Sequence, residues 1–261
     1  MSETSSRTGV NWRQAAGEAL LIFLGVGVAL GAQAWWEHRS DRELERHLIE
    51  GVRSDLARDS SDVATAMQVA RARIAGADFL LGELGDADAG RYRIRAWTSS
   101  RPGARRTEEE WLKSSVEEYA RSGLTAREAL FMVGSTTSLQ RIDLSDATFR
   151  EATESGRLNV IQDVELRSRI AEYYFNTSRF GSTTDDRVQV QWEDFRRAMA
   201  AAGLSTNGSG TDEQILAALR DYPLALAELK NVRDYAVMQV SAHDVTSASA
   251  EAVIQLLDGL D

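Results

Sequence analysis

The sequence predicts an all-α protein: an N-terminal transmembrane helix followed by an antiparallel bundle of three long helices with short intervening helices. Three observations predict it. Proline occurs only at Pro102 and Pro223 while alanine is abundant; proline removes a helix donor and alanine loses no side-chain entropy, so both favour helix. One run, Ala19–Ala32, contains no polar residue. Elsewhere apolar residues recur at steps of three and four, the period of a helix face.

The apolar run comes first along the chain. Ala19–Ala32 is about 21 Å long as a helix, short of the roughly 30 Å of hydrocarbon in a bilayer, whereas Ala15–Trp36 reaches about 33 Å and spans it. The longer segment takes in Glu18 and Gln33, each near an end, where a side chain can reach the headgroups. Trp12 before the span and Trp35 and Trp36 after it stand where interfacial anchors belong. Gly27 and Gly31 form a G-x-x-x-G, and Gly25 and Ala29 repeat the spacing. Small residues so spaced let two membrane helices approach closely, which makes these four the candidates for helix association.

A cleavable signal peptide is the main competing reading, with Arg7 and Arg13 as the basic start and Ala32-Gln33-Ala34 as an A-x-A site, and a buried helix of a soluble protein is the third. No proline or glycine interrupts the helical composition that follows, so a retained anchor is expected. The organisation is then an N-terminal tail (1–14), an anchor (15–36) and a helical domain outside the membrane (37–261). Arg39, Arg42, Arg46 and Arg53 follow the span, but long domains translocate largely regardless of flanking charge. The expected location is a bacterial inner membrane, single-pass, with the N-terminus cytoplasmic and the C-terminal domain periplasmic.

Two stretches, "GEALLIFLGVGVALGAQAWWE" from Gly17 and "ATFREATESGRLNVIQDVELRSRIAEYY" from Ala147 to Tyr174, resemble a family of uncharacterised bacterial single-span membrane proteins, a domain of unknown function. The first is similar to that family's anchor, with Gly-Glu before the span and aromatic-Glu at its exit. The second is similar to its Ser-Gly, Asn-x-Ile, Leu-Arg and Tyr-Tyr segment. The resemblance implies a retained anchor and a helical domain, and implies no activity. This chain departs from the pattern in having few basic residues before the span.

After the anchor, Leu44, Leu48, Val52 and Leu56, then Val63, Met67, Ala70, Ile74, Ala77 and Leu81, mark a helix running to about Leu84, where "GDADAG" stops it. Short helices are expected near Glu108–Ser122, Thr125–Val133 and Ser145–Glu154, the last ended by Gly156. A second long helix is expected from Val164, N-capped by Asp163, to about Ala202, with Leu166, Ile170, Tyr173, Thr177, Phe180, Val188, Phe195 and Met199 on its face and an interruption at Gly181. "GLSTNGSG" (203–210) reads as a flexible loop, and a short helix follows near Thr211–Arg220. Pro223 opens a third long helix, with Leu226, Leu229, Arg233, Ala236, Val240, His243, Ser247, Ala250, Ile254 and Leu257 on its face. None of these stripes can be buried by one helix alone, hence the bundle.

The net charge of −10 argues against nucleic acid, whose phosphates reward basic surfaces. The absence of cysteine excludes disulfides and thiolate chemistry. His38, His47 and His243 are the only histidines and form no metal-binding motif; Glu43, His47 and Glu50 share a helix face but read as solvated. "GDADAG" fails as a calcium loop, because the required glycine and glutamate positions hold Arg91 and Trp97. No Walker, dinucleotide or nucleophile-elbow pattern occurs, and no cofactor is expected. His243 and Ser247 read as a hydrogen-bonded polar layer in the core. "RYRIRAWTSSRPGARR" gathers Arg91, Arg93, Arg95, Arg101, Arg105 and Arg106, with Tyr92, Ile94 and Ala96 alternating as in a short strand. Those arginines are the candidate patch for an anionic partner or headgroups; a solvated loop answered by Glu108, Glu109 and Glu110 is the alternative.

These observations imply a membrane-anchored helical scaffold or accessory subunit that acts through association and not catalysis. Its expected partners are the lipid bilayer, a second copy of the chain or another membrane protein. The alternatives are a ligand-sensing periplasmic ectodomain, which would need a second span or domain to return its signal, and a membrane-tethered enzyme of unrecognised type.

Overall fold

The computed structural model describes residues 12–92, 105–120, 122–135 and 144–259; the side chains of 12–19, 22, 105–109, 135 and 179–188 lie outside that description. Among the described residues all regular structure is helical: α1 (Trp12–Glu83), α2 (Arg105–Glu117), α3 (Ala126–Ser135), α4 (Ala147–Glu154), a 3-10 turn (Arg157–Val160), α5 (Val164–Ala201), α6 (Asp212–Asp221) and α7 (Pro223–Asp258). The chain divides into two compact units, Met1–Glu50 and Gly51–Asp261. In the first unit α1 is a solvent-exposed helix whose partly buried residues are Leu44, Glu45, Leu48 and Ile49.

The second unit holds the core. The predicted stripes point inward: Val52, Leu56, Val63, Met67, Ala70, Ile74, Ala77 and Leu81 of α1 are buried, as are Leu166, Ile170, Tyr173, Phe195 and Met199 of α5 and Leu229, Ala236, Val240, Ala250 and Leu257 of α7. One cluster gathers Leu80, Leu130, Phe195, Met199, Leu219 and Leu229; a second gathers Val63, Met67, Ile74, Leu112, Val116 and Val240.

The helix directions differ in part from expectation. α7 runs antiparallel to α1: Arg53 Nη2 donates to the Leu257 carbonyl (2.9 Å), Arg73 Nη1 to Gln239 Oε1 (2.8 Å) and Arg233 Nε to Asp78 Oδ1 (2.6 Å). It is also antiparallel to α5, since Asn176 meets Ser249 while Phe195 packs with Leu229. α1 and α5 are therefore parallel, with Asp55 beside Tyr174 and Leu80 beside Phe195. Three helices around one core cannot all oppose one another. The parallel pair is the one joined by the long connection 84–163, which has the length to return to the start of the bundle.

Several local expectations hold for their physical reasons. Asp163 caps α5, its carboxylate accepting from the N–H groups of Glu165 and Leu166. Gly156, at φ +70°, follows the end of α4, and Pro223 opens α7. Thr211 and Gln214 form a capping box that starts α6. α2 begins at Arg105 and ends at Glu117, earlier at both ends than expected. α5 is unbroken through Gly181, so the expected interruption is absent: its flanking turns are carried by the packed halves on either side.

Residues 203–210 are seated and not loose. Leu204 is buried, Asn207 Oδ1 accepts from Ser205 Oγ (2.7 Å) and the Ser209 N–H (3.2 Å), and a Cβ at Gly208 would fall 2.7 Å from the Arg127 carbonyl of α3. α3 crosses α1 just as closely: a Cβ at Gly76 would lie 2.6 Å from the Ala129 carbonyl.

Candidate functional site

In the first unit, every large apolar side chain described between Leu20 and Trp36 is more than half exposed; Leu21, Phe23 and Val28 reach 70%, 78% and 71%. Added Cβ atoms at Gly25, Gly27 and Gly31 would meet nothing within 4 Å, and Ala29 is exposed, so the small-residue face has no neighbour among the described residues. Trp35 and Trp36 are exposed, with the Arg39 guanidinium 5.9 Å over the Trp35 ring. Beyond them polar side chains pair along the helix: Gln33 Nε2 donates to Glu37 Oε1 (2.9 Å) and Arg39 Nε to Glu43 Oε1 (3.3 Å). Trp12 begins α1, but its side chain lies outside the described ones. Among the described residues no helix is long and apolar enough to cross a membrane. The described side chains of this segment start at Leu20, and Leu20–Trp36 alone rises only about 25 Å.

Most of the arginine patch lies outside the described residues. Arg91 is exposed; Arg93, Arg95 and Arg101 lie outside the described residues, and Arg105 and Arg106 open α2 with side chains outside them. The expected strand at Tyr92, Ile94 and Ala96 is not entered at Tyr92, and its other residues lie outside the description. Tyr92 instead turns inward, its hydroxyl donating to Asp78 Oδ2 at 2.7 Å. Burial, with Asp78 beside it, pushes the phenol pKa up.

Asp78 belongs to a clasp that fixes the "GDADAG" loop on α7. Arg233 Nε bonds Asp78 Oδ1, Arg233 Nη2 donates to the carbonyls of Asp88 (2.8 Å) and Arg91 (2.7 Å), and the guanidinium stands 5.2 Å over the Tyr92 ring. Lys230 pairs with Asp86 at 2.5 Å, and that hydrogen bond holds the Asp86 carboxyl below its usual range. Asp86 of the loop thus pairs with a cation of α7, while the backbone carbonyls of Asp88 and Arg91 take Arg233.

The second polar cluster has no counterpart in the sequence reading. Asp55 and Asp59, one turn apart on α1, are both buried. Tyr173 donates to Asp59 Oδ2 (2.6 Å), Tyr174 to Asp55 Oδ2 (3.1 Å), and the Ser145 N–H to Asp59 Oδ1 (3.0 Å). Burial raises the Asp59 pKa, opposed by its bonds to Tyr173 and Ser145 and assisted by the charges of Asp55 and Asp62. Phe149 of α4 stacks on Tyr174 at 4.5 Å. Each carboxylate is thus buried with a tyrosine hydroxyl bonded to it.

The polar layer expected at His243 and Ser247 is made by their neighbours. Arg73 bonds Gln239, Thr246 Oγ1 donates to the Ala242 carbonyl and Asn176 donates to Ser249 Oγ. His243 is half-buried, and burial lowers its pKa to about 4. His47 lies 3.8 Å from Glu50, and among the described residues no group of metal-ligating side chains converges.

No protein-family model matches this chain, and no curated protein or solved structure is significantly similar to it.

Proposed function

We propose that this protein is a single-span membrane-anchored helical scaffold or accessory subunit, acting through protein association and not through catalysis. The observation that carries the reading is the apolar stretch of α1 from Leu20 to Trp36, whose described side chains are all exposed. A helix apolar all round needs covering all round, and lipid provides that at once. Completed by Ala15–Ala19, the segment is long enough to span, with Trp35 and Trp36 at one interface. The helix is unbroken through Ala32-Gln33-Ala34, which favours retention over cleavage. The resemblance of the 17–37 and 147–174 stretches to single-span bacterial proteins points the same way. On this reading the domain after the span lies in the periplasm and the N-terminus in the cytoplasm, since long domains translocate largely regardless of flanking charge. Self-association through Gly25, Gly27, Ala29 and Gly31, or pairing with another membrane protein, supplies the partner. The burial of Asp55 and Asp59, bonded by Tyr174 and Tyr173, supports a role without catalysis.

Carbonate-washed membranes followed by intact-mass measurement test the anchor. Retention of the full-length mass in the pellet is expected; a soluble chain beginning near Trp35 refutes it. Protease treatment of spheroplasts is expected to digest the C-terminal domain. Gly27→Ile with Gly31→Ile is expected to reduce crosslinked dimer in detergent; an unchanged yield removes self-association through this face.

A further inference from the structure

The seat of α4 on α1 and α5 has a chemistry of its own, independent of whether the chain is anchored. α4 is short, and Ala152 is its one buried residue. Otherwise it is held by Thr148 against Gly51, where an added Cβ would fall 2.7 Å from Thr148 Cγ2, and by Phe149 on Tyr174. Just before it, Ser145 is gripped twice: its N–H by Asp59, its Oγ by Arg58 Nη1 at 2.8 Å. A segment with so little apolar burial opens at lower free energy than the core, so the polar grip on Ser145 is a large share of what keeps it closed.

The groups around Asp59 are mostly acidic. α1 contributes Asp55, Asp62 and the exposed Arg58; the α4 side contributes Asp146, ion-paired to Arg150; α5 contributes Tyr173 and Tyr174. Among the described residues no cation bonds either Asp55 or Asp59. Two buried carboxylates side by side without a counter-ion are costly when both are ionised.

We propose that Asp59 makes the docking of α4 depend on pH: firm in acid, more readily released at neutral pH. Neutral Asp59 keeps every contact, because Oδ1 still accepts from Ser145 and the carboxyl proton can be donated to the Tyr173 oxygen, a phenol being acceptor as well as donor. Ionised Asp59 keeps the same contacts but holds a charge out of water beside Asp55. When α4 lifts, Ser145 leaves and water reaches the carboxylate, so ionisation favours the lifted state. The upward shift that burial gives Asp59 has the sign this requires.

Hydrogen exchange of the full chain in detergent at pH 4.5 and 7.5, corrected for intrinsic rates, tests the idea. Amides of 147–154, referenced to the α7 core, are expected to open at least about threefold more at the higher pH. Asp59→Asn, whose amide can reproduce the neutral hydrogen bonds, should hold α4 at its acid level at both pH values. Asp62→Asn, which removes only the smallest of the charges acting on Asp59, should leave most of the difference in place. A wild-type ratio that does not change with pH overturns the proposal on its own, without any variant having to fold. So does a pH difference that survives in Asp59→Asn.

Discussion

Tyr173→Phe isolates one hydrogen bond in the buried cluster. The ring stays and only the hydroxyl that donates to Asp59 Oδ2 at 2.6 Å is removed, so packing is conserved. Asp59 is 1% exposed, too deep for water to replace the lost donor; among the described residues Ser145 is then the donor that remains. A hydrogen bond to a charged group contributes about 1.5–3 kcal/mol, so we expect a loss of about 2 kcal/mol. For a domain of this size that is a fall in Tm of about 4–8 °C. In the Asp59→Asn background the bond removed is neutral, and the same change should cost only about 1 kcal/mol. Urea unfolding in detergent, followed by circular dichroism at 222 nm on the four members of the cycle, measures both. A cost below about 0.5 kcal/mol, or an equal cost in the two backgrounds, would refute the assignment of a charged, desolvated Asp59 at neutral pH.

Three further outcomes are expected. Arg233→Met leaves the half-buried Asp78 with only Tyr92 and Gly90 as donors, and the carbonyls of Asp88 and Arg91 without the guanidinium; the loss should be about 1.5–3 kcal/mol, with hydrogen-exchange protection of 86–92 falling before that of α5. Gly76→Ala drives a methyl against the Ala129 carbonyl and should cost about 1–3 kcal/mol, read from the same urea melts. His243 has a pKa near 4 folded against about 6.5 unfolded, so the unfolded chain takes up its proton first. Its contribution is complete above pH 6.5 and is lost as pH falls toward 4; after discounting for partial exposure this is on the order of 2 kcal/mol. The pH-dependence of stability of His243→Gln, subtracted from wild type, should show that slope, and a flat difference would contradict it. Asp59 slopes oppositely, since its raised pKa makes stability fall as pH rises above the unfolded value, so the two residues separate by sign.

Helix faces and ends were legible because they obey local rules. Leu56, Ile74, Leu229 and Val240 fall in register with a helical stripe and are buried; Asp163 and Pro223 sit where capping chemistry puts them. The polar core was not legible, because its partners come from distant parts of the chain, as with Asp59 and Tyr173 or Asp78 and Arg233. One signal was present. The α1 stripe passes from Leu56 to Val63, and the seam position between them is Asp59, an acid inside an apolar register. Arg233 interrupts the α7 stripe in the same way. A charge standing on an apolar face has to find a buried partner, although nothing local names it. Helix direction was equally hidden, since periodicity carries no information about how residues 84–163 return to the start of the bundle.

The bonds that close the bundle join Arg53 to Leu257, Arg73 to Gln239 and Asp78 to Arg233. Each links an early part of the chain to α7, at least 155 residues further on, so none can form until α7 has been made. Such far-flung contacts are slow to nucleate and leave the growing polypeptide open for longer. An unfolded chain can be threaded through a narrow channel, whereas a finished bundle cannot. The same topology that delays assembly would thus keep this chain fit for transport across a membrane, and early compaction of a ribosome-bound fragment lacking α7 would argue the reverse.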